Sequence, residues 1–437
     1  MLRPTLGGLK LLIALVALSA CAANEEKLPG QRLDLSGQVP AAALVNRSLP
    51  ISLPAQTTSG SWTHRAANAS HRTPHAALSD APVSRWVAEI GEGNDRRHRI
   101  TAEPVSDGAR IFTIDSNATV TATDVNGVTA WTRDLTRGQD KPKDASGGGL
   151  AVVSGVLYVA TGFGDLYALD AVSGGERWRQ RLGAPATGAP TVFGNQVYLT
   201  TRDSQGWVLD AENGRLRWQV EGAPSAVGVA GGSAPAVGNT YAIFPFGSGQ
   251  VTATYRREGF SAWQSSVTGG RLGQAYARVT DVTGDPVIAA GKVYVGNPGG
   301  RLVALDLDTG QRVWTAEQGA MGPTVVAGNS VFMINDQAEL VRLTSSNGAF
   351  VWAQSLPQFL PVKNELRRRD VYAHYGPVLA GGQLWVASDD GLLRSFDPRS
   401  GAQTRSIEIG APAAAPPIVV GRTLYVVGTD GTLRAFN

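Results

Sequence analysis

Ala168-Leu169-Asp170, followed by Gly174-Gly175 and Trp178, is the stretch that decides the fold, because it returns with the same spacing. Val208-Leu209-Asp210 leads to Gly214 and Trp218, and Ala304-Leu305-Asp306 leads to Gly310 and Trp314, with Asp and Trp eight residues apart each time. Each copy lies in a segment of roughly 45 residues made of short alternating strands, the sequence mark of a β-propeller. The residue types have physical reasons. Glycine takes a positive φ at little cost, aspartate hydrogen-bonds the turn backbone, and tryptophan can lie between adjacent blades.

Outward from these copies, eight units run from Pro104 to the last residue. They are marked by Trp131, Trp178, Trp218, Trp263, Trp314 and Trp352, then by Arg405 where the seventh tryptophan belongs. That exception predicts a weaker seam at blade seven. The eighth unit carries Pro417, Tyr425, Asp430-Gly431 and Phe436 and lacks a closing strand. Ser84 to Gly91 has the shape of the missing piece, so it is expected to complete the last blade and remove two exposed edges. The fold class is therefore all-β, an eight-bladed propeller over 104–437 closed by an N-terminal strand.

Charged residues make up 17% of the 437 and glycines number 53, well above an average share of about 7%, as many tight turns require. Net charge is +3, falling to +1 once Arg3 and Lys10 leave with a leader, which gives no electrostatic case for nucleic-acid binding. Residues 1–20 read as a secretion signal with a basic start and an apolar run from Leu11 to Ala20. Leu18-Ser19-Ala20-Cys21 resembles a bacterial lipobox, making Cys21 the expected lipidation site and mature N-terminus. Several acyl chains would anchor it stably, and Ala22 in place of aspartate favours the outer membrane. Cys21 is the only cysteine, so no disulfide forms within the monomer.

Residues 21–61, rich in Ala, Pro and Ser without a sustained period, are expected as a lipidated flexible tether. The segment 62–103 holds the closing strand and His64, His71 and His75. Their spacing could suit a metal, but no carboxylate or thiol accompanies them, and the expectation is a loop packed along the propeller face.

Together the motifs resemble the quinoprotein-like (PQQ-like) propeller repeat over nearly all the chain after residue 85. With the lipobox and eight blades they are similar to the BamB family of outer-membrane assembly lipoproteins. Ile90 to Gly93, Arg96 to Ala102 and Pro104-Val105 resemble its alphaproteobacterial branch. The resemblance implies a non-enzymatic scaffold of the outer-membrane β-barrel assembly machine (BAM complex). It would bind the POTRA repeats of a BamA-like barrel subunit, alongside other BAM subunits, with unfolded outer-membrane proteins as a further class of client. Two family motifs fall on Val227 to Pro235, where Ala230 replaces the family's arginine, and on Arg278 to Thr283, where Asp281 is retained and Thr283 replaces the second acid. Val227, Val229, Arg278 and Asp281 are the partner-binding residues this implies.

Two other classes share the repeat. A PQQ-dependent periplasmic dehydrogenase needs a calcium site and a catalytic aspartate, and often adjacent cysteines. Here Asp389-Asp390 only precedes a repeat turn at Gly391, so no catalytic residue, cofactor or metal is assigned. An envelope adhesin or cell-wall-binding propeller is the other alternative. The basic runs Arg96 to Arg99 and Arg367 to Arg369 read as exposed loop charges.

Overall fold

In the structure, a computed structural model, residues 44–138, 140–144, 147–225, 232–270, 279–362 and 370–437 are described. Among them are eight four-stranded antiparallel sheets and one helical turn, the 3-10 turn Pro142–Asp144. Seven sheets are consecutive in sequence: blade 1 spans 105–134, blade 2 148–181, blade 3 191–221, blade 4 236–266, blade 5 284–316, blade 6 325–355 and blade 7 374–408. Blade 8 combines the three strands of 418–436 with Ser84–Glu89. That closing strand pairs antiparallel with Thr432–Phe436, Val87 opposite Arg434 and Glu89 opposite Thr432, and Val83 and Asn437 exchange two further backbone bonds. The expected closure is the one observed.

Alternation explains the core. In each blade the second and third strands are buried nearly throughout, while most outer strands alternate exposed and half-buried residues. The repeat turn is more tightly specified than periodicity alone would require. Asp170 accepts from the backbone of Val172 and Ser173, and Gly174 has φ +70°. A Cβ on Gly174 would lie 2.7 Å from the Trp131 ring of the preceding blade, and the Trp131 indole donates to Ala171 O at 3.1 Å. Glycine is thus needed for the turn and for the indole lying on it. Trp86, Trp178, Trp218, Trp263, Trp314 and Trp352 cover the corresponding glycine of the next blade in the same way.

This explains Arg405. A tryptophan there would dock on the turn between the third and fourth strands of blade 8, but those strands come from distant parts of the sequence and no turn joins them. Arg405 marks the place where the ring is sewn shut.

The expected tether ends earlier than residue 61. Residues 1–43, with Cys21, lie outside the described residues, but from 45 onward the chain packs on the ring. Arg47 N donates to Val351 O and the Asn46 side chain bonds both ways with Ala353, along the outer edge of blade 6. Leu49, Ile51 and Leu53 then pack against the blade 6 core. Their apolar side chains alternate, which buries them; the intervening prolines and serines disguised this as tether composition.

Candidate partner-binding face

From Pro50 to Leu78 the chain forms a strap that bonds to all eight blades in turn. The order is blade 6 (Asn329 to Pro50 O), blade 8 (Gly421 N to Ser59 O), blade 1 (Trp62 and Ser106, both directions) and blade 2 (Val152 N to Thr63 O). Blade 3 follows (Val192 N to His64 Nε2), then blade 4 (Val237 N to Ala69 O), blade 5 (Ile288 N to Ser70 O) and blade 7 (Ala76 with Leu379 and Gly381). These contacts fall at the ends of the innermost strands or at the turns just after them. Each innermost strand is a sheet edge, and the strap satisfies the donors that such an edge leaves open.

The three histidines are parts of this strap. His64 Nε2 accepts from Val192 N, His75 Nε2 accepts from Gly382 N, and the His75 Nδ1–H donates to Pro54 O. His71 Nδ1–H donates to Pro286 O at 2.9 Å. Burial lowers His64 and His71 to about 3, so both are neutral and act as fixed donors and acceptors. Among the described residues no group of three or more His, Cys, Asp or Glu side chains is arranged around a metal position.

At the other end of the innermost strands the centre of the ring is open. A funnel of about 510 Å³ lies between the strap, the connector 94–103 and the entries to blades 5 to 8. Its floor is Trp62, Arg65 and Ala66. Its wall includes Ile100, Pro323, Pro377, Pro416 and Pro417, so prolines before or within the innermost strands face the cavity with no N–H to offer. Met321 stands at the edge, half exposed.

Buried charge holds the floor to the wall. Glu103 Oε1 accepts from Trp62 Nε1 at 2.7 Å and from Ala66 N at 3.1 Å. Arg65 Nε lies 2.9 Å from Asp285, whose side chain is fully buried and whose other oxygen accepts from Ala234 N at 2.7 Å. One guanidinium thus serves a region with two carboxyl groups. Burial pushes Glu103 up to about 7, with Arg65 opposing that shift, and burial also raises Asp285.

Of the residues expected to bind a partner, Asp281 alone is among the described residues. Val227, Val229 and Arg278 lie outside the described residues, as do Arg367 to Arg369. Asp281 is described and nearly buried. The two motif loops meet: Ser233 Oγ donates to Val282 O at 2.6 Å, and Ala234 N donates to Asp285. Arg65, Glu103, Asp285 and Arg342 were not identified from sequence. The signal for Arg342 was present, since Arg342-Leu343 occupies the place of Ala304-Leu305. Its guanidinium donates to Leu49 O, Pro50 O, Arg399 O and Ser330 Oγ, tying strap, blade 6 and blade 7 together.

Comparison with known proteins follows the same outline. A family model described as outer membrane protein assembly factor BamB matches residues 116–354 and 364–437. Outer membrane protein assembly factor BamB of Yersinia pestis is 27% identical over 322 residues, 72% of this chain and 78% of that protein. The crystal structure of BamB from Moraxella catarrhalis superposes with a TM-score of 0.68 at 17% identity, covering 82% of this chain and all of that one. Quinohemoprotein alcohol dehydrogenase from Comamonas testosteroni gives a TM-score of 0.63 at 15% identity, over 87% of this chain and 81% of that one. At such identities the structural likenesses establish the propeller fold alone.

Proposed function

Since this chain belongs to the family of outer membrane protein assembly factor BamB, we propose that it is a non-enzymatic propeller subunit of the outer-membrane β-barrel assembly machine. It docks the POTRA repeats of the barrel subunit and promotes insertion of β-barrel proteins. Cys21 carries the lipid that holds it on the periplasmic side of the outer membrane. The observation that carries this reading is a family match running through the blades on both sides of the funnel, with the two motif loops joined at Ser233–Val282 and Ala234–Asp285.

The strap takes up the inner strand ends on one side, so a partner meets the ring through its inter-blade loops or its outer rim. An interface of this kind needs a modest apolar centre with oriented charge at its border. The funnel floor favours a scaffold over an enzyme, because Trp62, Glu103, Arg65 and Asp285 are engaged with one another and with the strap.

The test is purification of the tagged full-length protein from its native envelope in detergent, with the Asp281→Arg variant alongside, read by mass spectrometry. Recovery of a POTRA-containing barrel protein with the wild type, and its loss in a variant that melts normally, is the expected result. Recovery with neither would overturn the reading and favour an adhesin. Oxidation of alcohols on adding quinone and calcium would favour a dehydrogenase.

A further inference from the structure

One border of the funnel carries a concentration of positive charge that neither the fold nor the proposed docking at Asp281 uses. The connector leaving the closing strand makes a tight turn at Asp95 to His98. Asp95 accepts from Arg97 N at 2.6 Å and His98 N at 2.7 Å, and its carboxylate lies 2.8 Å from His98 Nδ1. His98 Nε2–H donates to Lys143 O at 2.9 Å, which fixes the turn against the short helix Pro142–Asp144. There Asp144 accepts from Lys141 N at 2.7 Å.

Both aspartates accept backbone bonds and keep their negative charge, while the basic side chains are exposed around them. Arg96, Arg97, Lys141 and Lys143 are exposed, and among the described residues none of the four forms an ion pair. The neighbouring acids are Glu92, which is exposed, Asp140, which faces Arg137 at 3.7 Å, and Asp389, which shares the funnel wall with Arg99 and feels its charge. Arg99, also exposed, continues the patch to the cavity wall beside Ile100. The bond from His98 to Lys143 O ties the two backbone segments together, which keeps the basic residues on one border.

Beside this patch is the funnel, closed below and largely apolar, with a volume inside the range of about 300–1,000 Å³ usual for ligand clefts. We propose that this corner binds an acidic, extended peptide segment of a partner protein. One aromatic or large aliphatic side chain enters the funnel, and its carboxylates meet Arg96, Arg97, Lys141 and Lys143. The apolar side chain supplies most of the affinity, and the charges supply orientation and rate of encounter. The prolines in the wall supply apolar contact and no N–H of their own. This goes beyond the scaffold reading and stands apart from it, since the patch belongs to the connector and the loop between blades 1 and 2, whereas Asp281 lies between blades 4 and 5.

The experiment uses the full-length protein in detergent and a fluorescent twelve-residue peptide of glutamates around one tryptophan, with binding read by anisotropy at low and high salt. Binding is expected to weaken at least about tenfold in Arg96→Glu/Lys143→Glu, in Met321→Asp, and when the peptide tryptophan is replaced by serine. It should also weaken as salt rises. Both sets of substitutions are at exposed positions, so unchanged melting is the folding control, and Asp281→Arg should leave peptide binding intact. Equal binding of a peptide with glutamines for glutamates, or of the serine peptide, would overturn the proposal. So would charge-dependent binding to phosphatidylglycerol vesicles without binding to the peptide.

Discussion

The two ends of the ring's centre are built from the same eight innermost strands, yet they differ in what completes them. At one end the chain itself supplies the partner: the strap places a carbonyl, a histidine or a side-chain bond at every blade, and little backbone is left to offer. At the other, prolines of blades 6, 7 and 8 line the opening, the centre stays open as a funnel, and basic side chains gather at its border. The contrast teaches how a propeller with eight equivalent spokes can acquire a direction. One side is closed by the chain itself, and the opposite side stays open.

The contrast is broken most severely by removing residues 45–82 while keeping the closing strand. The ring would then lose its edge bonds and the buried Trp62, Ala76 and Leu78, and should lose more than about 5 kcal/mol, a large part of a typical domain's stability. Loss of a sharp thermal transition by circular dichroism is the expected outcome. Arg342→Met should cost about 3 kcal/mol, because Leu49 O, Pro50 O and Arg399 O lose a buried donor together. A lower urea midpoint with unchanged slope would report it.

Acidity sharpens the comparison from the funnel floor. Glu103 titrates at about 7 in the folded protein, above its ordinary value of 4.5. Its contribution to stability is therefore fully present below the unfolded value and is lost as pH rises through 7. The wild type should lose about 3 kcal/mol between pH 5 and pH 9 through this group, and Glu103→Gln should flatten much of that slope in urea titrations at a series of pH values. Smallest of all, Arg96→Glu/Lys143→Glu should leave stability within about 0.5 kcal/mol of wild type, as expected for exposed positions without structural partners.

Much of this was legible in the sequence. The blade phase came from a Gly that must lie under an indole, a constraint repeated often enough to be seen without an alignment. Closure by Ser84 to Gly91 followed because a blade lacked one strand. The strap was illegible for a physical reason: it bonds to a different blade every few residues and passes through positive φ at Ala66, Ala67 and His71, so no period of two develops. Residues 45–61 read as tether for a different cause: the prolines and serines between Leu49, Ile51 and Leu53 hid their alternation. Glu103 and Asp285 gave no signal, because each is a single acid at a blade entry whose partner, Trp62 or Arg65, is remote in sequence. Arg342 could have been found as the arginine standing where the repeat has Ala168, Val208 and Ala304.

The difference between the two faces is tested most directly by photo-crosslinking in living cells, with the reactive residue placed at Met321 or Lys143 beside the funnel and at Gln56 or Arg72 on the strap. Crosslinks to a partner protein from the funnel positions and none from the strap are the expected result. Equal or stronger crosslinking from the strap positions would contradict it, because the face sealed by the chain itself would then be the one that meets the partner.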